Sequence, residues 1–250
     1  MTVGIILAAG VGSRLRPLTD AMPKCLVPIG RETILARMVR LLLEAGVTSL
    51  VVSTGFEAAK VEAALAGCPV PVRCVHNPDY DRVQNVVSLH RALDAAPPGD
   101  IVKLDGDVVF QPTVLARLLR RADVDGAIAV DDRVLPPREE AMKVQTAPGA
   151  PHRALRFGKG LDPARCAGES IGIEWFGPEA RAALGIALAD AVAAGQTQRY
   201  YEEVYDTLCA QGLGLATVSV GDLDWTEVDD LTDLDRARGL VARWEAALTA

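Results

Sequence analysis

Leu7-Ala8-Ala9-Gly10-Val11-Gly12-Ser13-Arg14-Leu15-Arg16-Pro17-Leu18-Thr19, followed by Pro23-Lys24, is the stretch from which the fold is read. A continuous apolar run, Val3 to Ala9, leads into it and suits a strand buried on both faces of a parallel sheet. That strand runs straight into Gly10-Val11-Gly12, where small residues let backbone N–H groups approach phosphate oxygens closely. Arg14 and Lys24 add cationic charge where a pentavalent phosphorus would accumulate negative charge. The loop lacks the third glycine of the dinucleotide fingerprint and the Gly-Lys-Ser/Thr ending of a P-loop.

Outward from the loop the pattern alternates. Ile34, Met38, Leu41 and Leu42 recur at helical spacing, and Leu50-Val51-Val52-Ser53 reads as a second buried strand, which completes a βαβ unit. Val61 and Leu65 suggest a short helix, Val72 to Val75 a strand, Val86, Leu89 and Leu93 a helix face, and Ile101 to Leu104 another strand. Such alternation predicts a parallel sheet with helices on both sides and ligands at the carboxyl ends of the strands. After about Asp125 the segments shorten: Ala127 to Val130, Met142 to Gln145, Ala154 to Phe157 and Ser170 to Phe176 read as mixed or antiparallel strands. Helices are expected near Glu179 to Ala193 and Tyr200 to Ala210, then a strand at Leu215 to Val220. A last helix should start at Thr232-Asp233-Leu234-Asp235, a capping-box-like signal, with Ala237, Leu240, Val241, Trp244 and Leu248 on its apolar face.

The chain has 250 residues, half of them apolar, enough to bury a sizeable core. No stretch is long and apolar enough to span a bilayer, and the N-terminus lacks the basic flank of a signal peptide, so a soluble cytoplasmic protein is expected. Five cysteines without a CxxC pair read as free, mostly buried thiols. A net charge of −7 argues against a nucleic-acid binder, although local cations can hold a small polyanion.

The glycine-rich string as a whole resembles the signature of the nucleotidyltransferase family that activates sugar phosphates and phosphocholine-like head groups. Later landmarks follow in the family's order. Asp105-Gly106-Asp107 resembles the family's metal-binding acidic motif, and Trp225-Thr226-Glu227-Val228-Asp229 its second acidic motif. The resemblance implies an α/β fold, Rossmann-like, with a mixed, mainly parallel sheet flanked by helices, of nucleotide-diphospho-sugar transferase type. It implies one domain over 1–250, with an NTP-binding half at 1–124 and an acceptor-binding half at 125–250 that carries the C-terminal helix. Arg14 and Lys24 would be catalytic, Asp107 and Asp229 would hold Mg²⁺, and Leu7, Ala8, Gly10, Gly12, Ser13 and Asp105 would line the nucleotide. The implied mechanism is in-line attack by an acceptor phosphate oxygen on the α-phosphorus, with pyrophosphate leaving and no general base required.

Asn77-Pro78-Asp79-Tyr80-Asp81-Arg82-Val83-Gln84-Asn85-Val86-Val87-Ser88-Leu89 resembles the Asn-x-x-Ser-Leu of cytidylyltransferases acting on phosphocholine, inositol phosphate or aminoethylphosphonate. It implies CTP, with Ser88 and Asn85 at the base; Asn85 also reads as a helix N-cap. Gln84 departs from the phosphocholine-type pattern, which often has a second asparagine there. Lys159 resembles the lysine that contacts the acceptor's phosphate, and also reads as a solvated loop lysine. Glu169 stands where the family's acceptor-pocket strand should be, and reads equally as an edge-strand charge. An aromatic cage for a choline-like cation would draw on Trp175, Tyr200, Tyr201, Tyr205 and Trp225, with Tyr201 and Trp225 assigned to the acceptor, although most of these rings also read as core. Arg133, Arg138, Lys143 and Arg153 would suit a second anionic group such as a phosphonate carboxylate, and read equally as a solvated face. The partners expected are CTP and a small anionic acceptor, with no nucleic acid or membrane and the oligomeric state open, a homodimer included. A sugar-1-phosphate enzyme using UTP, dTTP or GTP and an inactive regulatory relative are the alternatives, the latter disfavoured by the intact Arg14, Lys24, Asp107 and Asp229.

Overall fold

The computed structural model describes residues 1–120, 124–133 and 141–249. The apolar run becomes β1 (Thr2–Ala8), which pairs in parallel with both β2 (Ser49–Thr54) and β4 (Asp100–Asp105). Its side chains alternate between two cores, as a strand's must. Val3 and Ile5 enter the one that receives α3 (Asn85–Ala95) and α5 (Pro178–Ala193). Ile6 and Ala8 enter the other, beside α1 (Ile34–Glu44). Coverage on both faces explains why this strand reads as unbroken hydrophobicity.

α2 (Ala58–Leu65) leads to β3 (Val72–His76), which extends the parallel set beyond β2. The full order is β3-β2-β1-β4-β9-β6-β10-β8-β7, where β6 is Gly126–Asp131, β7 Lys143–Ala147, β8 Ala150–Gly158, β9 Gly168–Phe176 and β10 Leu215–Ser219. β9 is inserted antiparallel between β4 and β6, while β6 and β10 return to parallel pairing. The sheet is therefore mixed, and it crosses without a break from the first to the second half of the chain. β7 also pairs with the start of β9, curling the far edge back on itself.

Three short elements were not expected: α4 (Thr113–Leu118) and the ribbon formed by β5 (Val108–Phe110) and β11 (Trp225–Glu227). Tyr200 to Ala210 is a 3-10 turn at Tyr201–Val204 running into α6 (Tyr205–Ala210), not one helix. The last helix, α7 (Leu231–Thr249), starts one residue before the expected signal. Asp230 caps it, accepting from the Thr232 and Asp233 amides at 2.8 and 3.0 Å. Asp233 reciprocates by accepting from the amides of Asp229 and Asp230 at 3.1 Å each. Ala237, Leu240 and Val241 are buried on its inner face, and the Leu248 side chain lies outside the described set.

All five cysteines are free, with Cys25 and Cys209 buried and the other three partly exposed. No helix among the described residues is long and apolar enough to cross a membrane.

Candidate active site

At the carboxyl end of β1 the chain turns through Gly12, whose φ of 68° is left-handed. The Gly12 carbonyl accepts from the Thr19 hydroxyl at 2.7 Å and from the Leu15 amide at 3.0 Å, closing the loop onto Ser13–Leu15. A Cβ on Gly12 would lie 2.9 Å from the Lys24 Cβ, so the lysine stem packs directly against the loop. At Gly10, by contrast, a Cβ would meet nothing within 4 Å. Packing inside the protein gives no reason for that glycine, whereas close approach by a ligand does. The Leu7 carbonyl accepts from the Gly106 amide at 2.9 Å, so this group ties β1 to the turn after β4.

Lys24 brings together acids far apart in sequence. Its ammonium donates to Asp107 Oδ2 and to Asp229 Oδ1, both at 2.8 Å, and Arg14 Nη2 lies 2.8 Å from Asp229 Oδ2. The β5–β11 ribbon is what makes this meeting possible. Val108 pairs with Glu227, and the Val228 amide donates to the Asp107 carbonyl at 2.9 Å, which sets the two acidic strings side by side. Burial disfavours charge on Lys24, but the two carboxylates outweigh it and hold the ammonium protonated. Partial burial likewise works against ionised Asp229, yet Lys24 and Arg14 keep it below the ordinary carboxylate range.

Glu227 joins this cluster and was not singled out by sequence reading. One carboxylate oxygen from each of Asp107, Glu227 and Asp229 falls within 4.8 Å of the others, a group that could hold a metal ion. Asp107 Oδ1 is buried without a hydrogen-bond partner, as expected of an oxygen reserved for a cation. An all-carboxylate donor set suits a hard divalent ion. Glu227 stands two residues before Asp229 in the acidic string, and with Trp225 the two line one cleft, while Thr226 and Val228 between them are buried.

That cleft, about 740 Å³, is also lined by Arg14, Asn85, Asp105, Lys159, Glu169, Tyr200 and Glu202. Lys159 Nζ sits 4.5 Å from the centre of the Tyr200 ring. Trp225 is held by its indole N–H, which donates to Asp131 Oδ2 at 2.6 Å.

Several expected contacts are corrected. Tyr201 does not face the cleft; it is fully buried, and its hydroxyl donates to Asp105 Oδ2 at 2.6 Å. Tyr205 is equally buried, edge-on to Phe157 and Phe176. Their ring area is better removed from water than offered to a ligand. Asn85 is not the cap of α3: it is the helix's first residue, and its side-chain oxygen accepts from the Tyr201 amide at 3.0 Å. Lys143 is buried and donates to the Lys159 carbonyl at 2.5 Å, so it offers no surface cation. Arg133 is tied to Asp131 at 3.1 Å, and Arg138 lies outside the described residues. Asp105 is engaged by Lys103 at 2.9 Å as well as by Tyr201, and a Cβ at Gly172 (φ +72°) would strike its carboxylate at 2.4 Å. Ser88 is buried with its hydroxyl accepting from Asn77 Nδ2 at 3.0 Å, and Asn77 was another residue sequence reading passed over.

Residues 4–156, which carry most of β1, the glycine loop, Lys24 and Asp107, match the family described as the MobA-like NTP transferase domain. The chain belongs to that family. This NTP transferase chain is 31% identical, over 93% of its length, to CMP-5'-(3-aminopropyl)phosphonate synthase of Streptomyces rubellomurinus. It is 31% identical, over 97% of its length, to the bifunctional IPC transferase and DIPP synthase of Rubrobacter xylanophilus. The matched regions are 38% and 52% of those relatives, so the chain spans about half or less of their length. Among solved structures, the inositol-1-phosphate CTP transferase from T. maritima superposes with a TM-score of 0.78 at 20% identity, covering 96% of this chain and 94% of that one. The NTP transferase chain thus has the nucleotide-diphospho-sugar transferase fold, with the cleft at the carboxyl ends of β1 and β4 where such sheets bind ligands.

Beneath the cleft lies a buried ionic network. Lys103, fully buried, contacts Asp105 at 2.9 Å and Glu174 at 3.0 Å and hydrogen-bonds the Tyr201 hydroxyl. Glu202 adds a third acid with its Oε2 unpartnered. Burial, opposed by Lys103 and reinforced by Asp105, pushes Glu174 up to about 7. Burial and repulsion from Asp105 push Glu202 up to about 8.

Proposed function

We propose that this chain is a cytidylyltransferase that moves CMP from CTP to a small acceptor bearing a phosphate or phosphonate, with release of pyrophosphate. The observation that carries it is the convergence of Lys24, Arg14, Asp107, Glu227 and Asp229 at the mouth of a glycine loop. An acceptor oxygen attacks the α-phosphorus, and the bond from that phosphorus to the oxygen bridging to the β-phosphorus breaks. An ionised phosphate or phosphonate is already a nucleophile, so the protein's task is positioning and charge stabilisation. Lys24 meets the α-phosphate and Arg14 the departing β,γ-phosphates. Mg²⁺, when bound, supplies charge neutralisation of the phosphates, and Asp107, Asp229 and Glu227 are the residues that would hold it.

CTP is favoured by relatives and neighbours whose names are those of a CMP-phosphonate synthase, a choline-phosphate cytidylyltransferase and an inositol-1-phosphate CTP transferase. Ser88 and Asn85 would read the base edge. Lys159 would take the acceptor's phosphate. Glu169, lining the cleft beside Tyr200 and Trp225, suits an acceptor with an amino or quaternary ammonium group.

Pyrophosphate release measured with each NTP against aminoalkylphosphonates, phosphocholine, inositol phosphate and sugar 1-phosphates tests this. CTP with an amino-bearing acceptor should dominate; UTP or dTTP with a sugar 1-phosphate would make the sugar-nucleotide reading correct. Ser88→Ala should lower the CTP/UTP ratio in kcat/KM by about 5- to 150-fold, as expected for one buried hydrogen bond of about 1 to 3 kcal/mol.

A further inference from the structure

We infer that Lys24 is the resident cation of the metal centre in the ligand-free protein, so that a divalent ion enters productively only together with the nucleotide. The inference rests on the proposed function and concerns how that same site is loaded.

The Lys24 ammonium lies 2.8 Å from Asp107 Oδ2 and 2.8 Å from Asp229 Oδ1. Those two carboxylates, with Glu227, form the group that could hold a metal ion. A divalent ion bound between them needs oxygens at about 2.0 to 2.1 Å, so an ammonium left in place would sit within a few ångströms of it. Two cations that close repel strongly in a partly desolvated site. Lys24 must therefore leave the carboxylates for the ion to be held well.

The fold restricts where it can go. Its backbone is fixed in the Lys24–Leu26 turn after Pro23, with the Leu26 amide on the Pro23 carbonyl at 2.9 Å and the Val27 amide on the Lys24 carbonyl at 3.1 Å. Its Cβ, Cγ and Cδ run along Gly12, at 2.9, 3.2 and 3.4 Å from the position of a Cβ there. Only the end of the side chain can swing, and what it swings towards is the glycine loop. The lysine is 9% exposed, so a displaced ammonium is not simply returned to water. Without a counter-anion it would be left buried and unpaired, which is strongly unfavourable. Nucleotide phosphate on the loop is the anion that the geometry supplies. Arg14 differs, because its side chain is 68% exposed and can release Asp229 to solvent freely. Metal and nucleotide should then bind with positive coupling, Lys24 exchanging carboxylate for phosphate.

Mn²⁺ binding, read as loss of the free-ion electron paramagnetic resonance signal beyond the loss that the nucleotide alone causes, tests this without turnover. Wild-type protein should bind Mn²⁺ about tenfold or more tightly when α,β-methylene CTP is present. In Lys24→Met and Lys24→Gln, nucleotide-free affinity for Mn²⁺ should rise by about tenfold or more, and the added effect of nucleotide should shrink. Folded variants that bind Mn²⁺ no tighter than wild type would overturn the inference. So would wild-type affinity that is the same with and without nucleotide, a comparison that needs no variant. Neither result touches the proposed function, which stands or falls on pyrophosphate release.

Discussion

Each charged residue at the mouth of the cleft is worth what its neighbours make of it. Lys24 is almost buried between two carboxylates, and Arg14 is exposed and contacts one of them. Lys24→Ala is therefore expected to reduce kcat by about 10² to 10³ or more, since it acts on charge that develops in the transition state. Arg14→Ala should act in the same direction. Circular dichroism and steady-state kinetics check both, and near-normal kcat in Lys24→Ala would show the loop assignment to be wrong. Deeper down, Glu202 is 5% exposed and its pKa is raised to about 8 from an ordinary 4.5. The folded state therefore keeps a proton on this residue, between those two values, that the unfolded state has lost. Its contribution to stability is complete below about pH 4.5 and fades as the pH rises to about 8. Glu202→Gln should flatten the fall of Tm between pH 5 and pH 8 and raise Tm most at pH 8. Equal pH slopes for variant and wild type would rule out a buried, proton-bearing Glu202.

At the scale of elements, the loop after β1 contains two glycines with different reasons for being there. Gly12 has a left-handed backbone and the Lys24 stem against it, while Gly10 has open space. Gly12→Ala should cost about 1 to 2 kcal/mol from backbone strain alone, with a further cost from the clash. Gly10→Ala should leave Tm close to wild type and weaken CTP binding instead. Thermal melts with CTP titrations separate the two, and equal destabilisation by both would contradict the loop geometry. The ribbon β5–β11 is the second decisive element. Three-residue strands are too short to show a period, so neither was visible in the sequence, although the acidic strings that they carry were. The Asp230–Asp233 cap at the head of α7 also fixes the Asp229 amide, so the helix start orients the site.

Across the whole molecule, ligand binding to the folded state alone must raise its stability. At free CTP about a hundredfold above its Kd, with Mg²⁺ present, linkage gives about 2.7 kcal/mol, or a Tm rise of roughly 5 to 10 °C for a chain of this size. Chelator should remove most of that rise, and a melt indifferent to chelator would contradict the metal proposal. The sequence alone determined the parallel βαβ start, because a strand covered on both faces can only read as uninterrupted apolar residues. It also determined the glycine loop and the two acidic strings, because close backbone approach and ion binding demand particular residue types wherever they occur. It did not determine that Lys24 meets Asp107 and Asp229, which lie 83 and 205 positions away. Nor did it determine that Glu227 completes their cluster, or that Tyr201 supports Asp105 from the core instead of facing the cleft. Those outcomes depend on how β9 inserts, how the ribbon pairs and which side of a short turn is buried. They are settled by packing between distant segments, and no local pattern of residues encodes them.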